Sequence, residues 1–173
     1  MKLKKSTIPL VAIIVIGIVI SVFVIQNTNN CDTLENRERR LRDISNLGEV
    51  TNIDQETVID DYIISGYTTK NNQYGLAVFA PAGNGRYKFQ TNVNRQNDEL
   101  VFITATINKT LYNLFWANKA NLDYAEITYT IAAKTEKTIK IDAQNNQIVY
   151  TVAPSTDFSV EYSFTDLNGT RYE

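Results

Sequence analysis

From residue 58 onward, apolar and polar residues alternate along this chain, as they do in strands that bury one face. The clearest run is FSVEYSFT. There Phe158, Val160, Tyr162 and Phe164 point one way, and Ser159, Glu161, Ser163 and Thr165 the other. YAEITYTI repeats the pattern with Ala125, Ile127, Tyr129 and Ile131 inward, and LVFITATI with Val101, Ile103, Ala105 and Ile107. Shorter versions surround Ile139/Ile141 and Ile148/Tyr150/Val152, and YIISGYTT, QYGLAVFA and RYKFQTNV complete the upstream set. LYNLFW is apolar on both faces, which predicts a strand covered on both sides.

The punctuation between these runs suits hairpins. Lys70-Asn71-Asn72, Pro81 to Gly85, Asn108-Lys109, Gln144-Asn145-Asn146 and Leu167-Asn168-Gly169 all fall at strand-to-strand spacings. Asn168-Gly169 is the strongest signal, since both residues tolerate the positive φ of a type I′ turn. With no helix after residue 58, the fold class expected is all-β, a sandwich or an open barrel. A single sheet of so many strands would leave one face and two edges unmanaged. The expectation is therefore an antiparallel β-sandwich of about eight to nine short strands.

A different pattern opens the chain. Ile8 to Ile25 is eighteen residues without a charge. As a helix it spans about 27 Å, close to the hydrocarbon core of a bilayer. The run is long for a signal-peptide core, and its exit, Phe23-Val24-Ile25-Gln26-Asn27, lacks small residues for cleavage. An uncleaved transmembrane signal anchor is the reading, against a cleaved signal or a core helix with no polar face. Lys2, Lys4 and Lys5 flank it directly, while Arg37, Arg39, Arg40 and Arg42 begin twelve residues beyond it. Adjacent lysines and a long translocated tail put the N-terminus inside and the β domain outside the cell membrane. The organisation expected is a cytoplasmic N-terminus at 1–7, the anchor at 8–25, a juxtamembrane hinge and charged helix at 26–48, and an extracytoplasmic β domain at 49–173.

The charged helix is read from CDTLENRERRLRDISNLGEV. Asp32 stands as N-cap with Glu35 three residues on, and Gly48 as the stop. Its apolar stripe of Leu34, Leu41, Ile44 and Leu47 is narrow, and its arginines alternate with Glu35, Glu38 and Asp43. A solvated spacer helix is expected, ahead of a coiled-coil stalk or an arginine face on anionic lipid.

Composition narrows the chemistry. Ten of the seventeen Lys/Arg but fifteen of the nineteen Asp/Glu fall in residues 49–173, with no basic stripe, so nucleic acid is not an expected partner. The chain has no histidine and one cysteine, Cys31. His-dependent catalysis and a structural zinc site are thereby removed, and no cofactor, metal or catalytic residue is assigned. Cys31 reads as an incidental thiol, the alternative being a disulfide between two anchored copies. Asp60-Asp61 and Asp98-Glu99 are the adjacent carboxylate pairs, but neighbours on a strand face opposite ways and make no glycosidase dyad. Asp166 to Gly169 lacks the ligand ladder of a calcium loop and reads as a turn. The glycosylation-like Asn108-Lys109-Thr110 and Asn168-Gly169-Thr170 read as turns too.

GLAVFAPAGNGRYKFQ and FTDLNGTRYE resemble stretches of uncharacterised signal-anchored proteins of low-GC Gram-positive bacteria, whose β-rich ectodomains end in an Asp-x-Asn-Gly hairpin beside a Tyr. The resemblance spans Gly75 to Glu173, and the last ~50 residues are immunoglobulin-like in strand spacing. It implies a location and a fold style, with no activity attached.

The one candidate contact site is LFWANKANLDY. Trp116, the single tryptophan, precedes a polar loop of Asn118, Lys119 and Asn121, suited to protein or sugar contacts at a sandwich rim unless Trp116 is a core residue. The function expected is a non-enzymatic interaction module for a protein or envelope component, using a sheet edge or rim loops. The alternative is an accessory subunit of a membrane complex, associating through the anchor, where Gly17 and Ser21 form a small-xxx-small pair.

Overall fold

The computed structural model describes residues 30–45, 51–132, 135–145, 147–155 and 157–173. They form one helix, α1 (Leu34–Ser45), and eleven antiparallel strands. The first sheet is a meander of β1 (Thr51–Ile59), β2 (Tyr62–Thr69), β3 (Gln73–Pro81) and β4 (Tyr87–Gln96). The second holds β5 (Leu100–Ile107), β6 (Thr110–Ala117) and β9 (Ile148–Val152), in the order β5-β6-β9. The third holds β7 (Leu122–Ile131), β8 (Thr135–Asp142), β10 (Phe158–Asp166) and β11 (Arg171–Tyr172), in the order β11-β10-β7-β8.

Side-chain alternation turns these sheets into a stack. Ile59, Ile64, Leu76 and Val78 of the first sheet meet Val101, Ile107, Leu114, Trp116 and Ile148 of the second. On its other face the second sheet offers Leu100, Phe115, Ala117 and Val149 to Ala125, Ile127, Tyr129 and Phe164 of the third. The middle sheet is thus covered on both sides, as the two-faced apolar run LYNLFW requires. Burying each large side chain there contributes about 1.5–3 kcal/mol. Asn113 is the polar exception on β6. Its Nδ2 donates to Tyr129 Oη at 2.8 Å, its Oδ1 accepts from Thr104 Oγ1 at 2.8 Å, and Tyr129 Oη meets Thr151 Oγ1 at 2.5 Å. A fully buried amide is tolerable only with such partners.

Helix α1 covers the outer face of the first sheet, where Cys31 and Leu41 pack with Ile63, Tyr67, Ala77 and Phe79. The expected solvated spacer is therefore a docked helix. Arg37, 6% exposed, reaches Glu56 of β1 through Nε at 2.9 Å and Nη2 at 2.7 Å, and donates Nη1 to the Cys31 and Asp32 carbonyls. Ser65 Oγ donates to the same Glu56 carboxylate at 2.6 Å. The cap also moves by one residue. Thr33 Oγ1 accepts from Asn36 N–H, whereas Asp32 Oδ1 accepts from Tyr87 N–H at 2.8 Å and holds the helix entry on β4. Cys31 N–H donates to Tyr87 O at 3.0 Å beside it. The thiol is buried and burial pushes its pKa up, so a disulfide to a second copy would first need this helix to lift.

Against an expected eight to nine strands, the two additions are β1 and β11. TNIDQETVI is too polar to read as a strand, because its Glu56 is matched by Arg37 rather than by solvent. Tight turns follow from residues that accept positive φ: Asp60 and Asp61 at 46° and 66°, and Asn108 and Lys109 at 43° and 70°, each pair closing a two-residue hairpin. At Asn168-Gly169 only Gly169 is left-handed, at 83°. Gly169 N–H donates to Asp166 O and Asp166 N–H to Thr170 O, so the loop is a three-residue type with Gly169 at its end rather than a type I′ turn. Among the described residues no helix is long and apolar enough to cross a membrane. The run Ile8 to Ile25 and the proposed stop Gly48 lie outside them.

Candidate interaction site

The four residues singled out at the β6–β7 rim do not form one exposed surface. Trp116 is fully buried, its indole wedged against Gly66 of β2. The loop after it serves as a bracket between sheets. Asn118 N–H donates to Glu99 O at 2.9 Å, Leu167 N–H to Asn121 O at 2.9 Å, and Gln147 Nε2 to Lys119 O. Lys119 Nζ is salt-bridged to Glu99 and lies 5.1 Å from the Tyr172 ring centroid. Tyr172 Oη in turn donates to Asp166 Oδ2 at 3.1 Å. Asp166 Oδ1 accepts from the Asn168 and Thr170 N–H groups, and these donors, Thr170's first, hold its carboxyl below the usual range. The same carboxylate raises the Tyr172 pKa. Only Asn121 remains exposed, so this rim is committed to holding the fold.

The carboxylate pairs are likewise structural. Asp60-Asp61 is the β1–β2 turn. Asp98 accepts from Leu100 N–H at 3.1 Å and pairs with Arg95 at 3.3 Å, while Glu99 holds Lys119. Among the described residues no three carboxylates or thiols come together to hold a metal ion.

A different surface emerges from strand pairing. β10 pairs with β7 along its whole length, but on its other side β11 covers only Phe164 and Thr165. Main-chain direction along β10 follows from its ends. Asp157 O accepts from Ala132 N–H, and Leu167 N–H donates to Asn121 O, both at 2.9 Å, so odd-numbered residues address β7. Asp166 N–H addresses the other side, through Thr170 O. By the antiparallel alternation, Phe158, Val160 and Tyr162 turn their N–H and C=O groups to the side that β11 leaves uncovered.

That uncovered edge opens into a cleft of about 370 Å³. Its apolar wall is Leu100, Val160 and Tyr162, with Tyr162 Oη 3.5 Å from the Leu100 carbonyl and its pKa raised by burial. Its rim is charged. Arg95 pairs with Asp98, and Arg171 lies 3.8 Å from Glu126 and 2.7 Å from Glu173, while Glu161 in mid-strand has no side-chain partner among the described residues.

The edge strands of the first sheet and β8 carry defences against stray pairing, whereas β5 and β9, the edges of the second sheet, have neither lysine nor bulge. β8 has Glu136, Lys137, Lys140 and Asp142, and its pairing with β7 leaves them along the edge. β1 is bulged between Ile53 and Gln55, and the β3–β4 ladder between Val78 and Phe79. Phe158–Ser163 has neither lysine nor bulge. FSVEYSFT was legible as a strand, but its edge position was not. No family model, curated protein or solved structure matches this chain.

Proposed function

We propose that this chain is a membrane-anchored, non-catalytic interaction module whose β domain stands outside the membrane and takes up an extended segment of a protein partner along β10. The observation that carries the reading is that, among the described residues, no strand pairs with the outer side of β10 at Phe158, Val160 and Tyr162, and that Val160 and Tyr162 border a cleft. The reading also treats residues 100–173 as an immunoglobulin-like unit. Its support is the strand order, with β5-β6-β9 facing β11-β10-β7-β8, the places of strands A-B-E and G-F-C-C′. Ile8 to Ile25 supplies the anchor. Because α1 is docked rather than extended, only Gln26 to Asn30 separate it from Cys31, a reach of about 20 Å at most, which keeps the domain at the bilayer surface.

The test is a photo-crosslinking residue placed at Ser159 or, as a control edge, at Lys137 of β8, in intact cells. Adducts are expected at Ser159 and to be lost on adding Val160→Pro. That substitution deletes an N–H facing away from β7 and so leaves the internal ladder intact. Equal adducts at both edges, or adducts that persist in a folded Val160→Pro variant, would overturn the assignment.

A further inference from the structure

We infer that the segment accepted by β10 alternates, with apolar residues toward the sandwich interior and lysine or arginine toward the outer face of the third sheet. This rests on the edge reading above and adds the chemistry of the partner. Residues of an added strand that hydrogen-bond to Phe158, Val160 and Tyr162 lie directly opposite them, so their side chains share the same face. That face is the cleft's apolar wall of Leu100, Val160 and Tyr162, which continues the core built on Phe115 and Phe164. Apolar residues there would extend that core along the cleft wall.

The intervening residues point to the opposite face, beside Glu161 and Thr128, with Glu126 one step along. The cleft is lined by four carboxylates, on Asp98, Glu126, Glu161 and Glu173, and two guanidiniums, on Arg95 and Arg171. Both arginines already have carboxylate partners, and Glu161 has none among the described residues. Charge complementarity therefore selects a cationic strand. It also argues against a second copy of this chain on the same edge. Pairing β10 with itself about Val160 would set Ser159 opposite Glu161 and bring two acidic rims together without a new cation.

The experiment uses the full chain in mild detergent and three dye-labelled hexapeptides, read by fluorescence anisotropy. One alternates valine and lysine, one alternates valine and glutamate, and the third is the valine–lysine peptide with every valine N-methylated. The valine–lysine peptide is expected to bind, and the other two to bind at least about ten-fold more weakly. Glu161→Lys should weaken the lysine peptide by about five- to ten-fold, as loss of one exposed ion pair plus a like charge would. Equal binding of the lysine and glutamate peptides overturns the charge assignment and leaves the edge reading standing. Equal binding of the N-methylated peptide, or binding of none, overturns the edge reading and this inference with it. Concentration-dependent self-association abolished by Val160→Pro would place a second copy on the edge instead, and would also overturn it.

Discussion

The indole of Trp116 lies against the main chain of Gly66 so closely that a methyl group at Gly66 would sit 2.5 Å from Trp116 Cε2. This contact joins β2 of the first sheet to β6 of the second, and it explains why a strand interior keeps a glycine. Gly66→Ala should destabilise the fold by about 3 kcal/mol, at the upper end for overpacking, because both the indole and β2 are enclosed. Trp116→Phe, which opens space at the same point, should make the two changes non-additive by about 1 kcal/mol or more in a double-mutant cycle. Urea titrations followed by circular dichroism measure both, and additivity would show that the contact is not the source.

Arg37 is the pin that holds α1 on the first sheet. Removing it leaves the half-buried Glu56 with Ser65 as its remaining partner, so Arg37→Ala should cost about 2 kcal/mol, less than for a pair with no solvent access. Cys31 reports the same event. Its thiol is buried and its pKa raised, so it should react slowly with a small thiol reagent in the folded protein. Arg37→Ala should speed that reaction at least about ten-fold while β-sheet circular dichroism is retained.

Asn113 should be intolerant of substitution despite touching no solvent. Asn113→Leu deprives Thr104 and Tyr129 of their shared amide, and a loss of about 2–3 kcal/mol in thermal or urea unfolding is expected. Tyr129→Phe should cost about 1–3 kcal/mol, since the ring keeps its packing against Phe158 but the buried Asn113 Nδ2 loses its acceptor.

Acid stability depends on Asp166. Its folded pKa lies below that of an unfolded aspartate, about 3.9, so its contribution is complete above that pH and is lost as pH falls through the folded value. Asp166→Asn should flatten the stability profile below about pH 4 and lower stability at neutral pH. Tyr67, Tyr162 and Tyr172 have raised values, so their contribution is complete below about pH 10 and is lost as pH rises through the folded values. Replacing Tyr162 by Phe should reduce the alkaline loss, measured by urea unfolding at a series of pH values.

Periodicity carried most of the strand content into the sequence, because Ala125, Ile127 and Tyr129, or Phe158 to Phe164, each bury one face and alternate cleanly. What it did not carry depends on partners distant in the chain. Arg37 looks like a surface residue until Glu56, nineteen residues on, is seen beneath it. β1 was hidden for the same reason, since its Glu56 answers Arg37 of the helix rather than water. Trp116 was open to two readings because a lone tryptophan before a polar loop does not tell whether Gly66 faces it. The candidate site was the least legible, because being an edge is a property of what fails to pair beside a strand.

Amide hydrogen exchange along β10, in the absence of any partner, tests the central claim most directly. The account predicts an alternation: Ser159, Glu161 and Ser163, bonded to β7, exchange slowly, while Phe158, Val160 and Tyr162 exchange at least about a hundred-fold faster. Uniform protection across Phe158–Ser163 would mean that the edge is already covered, and would contradict its role as an acceptor for a partner strand.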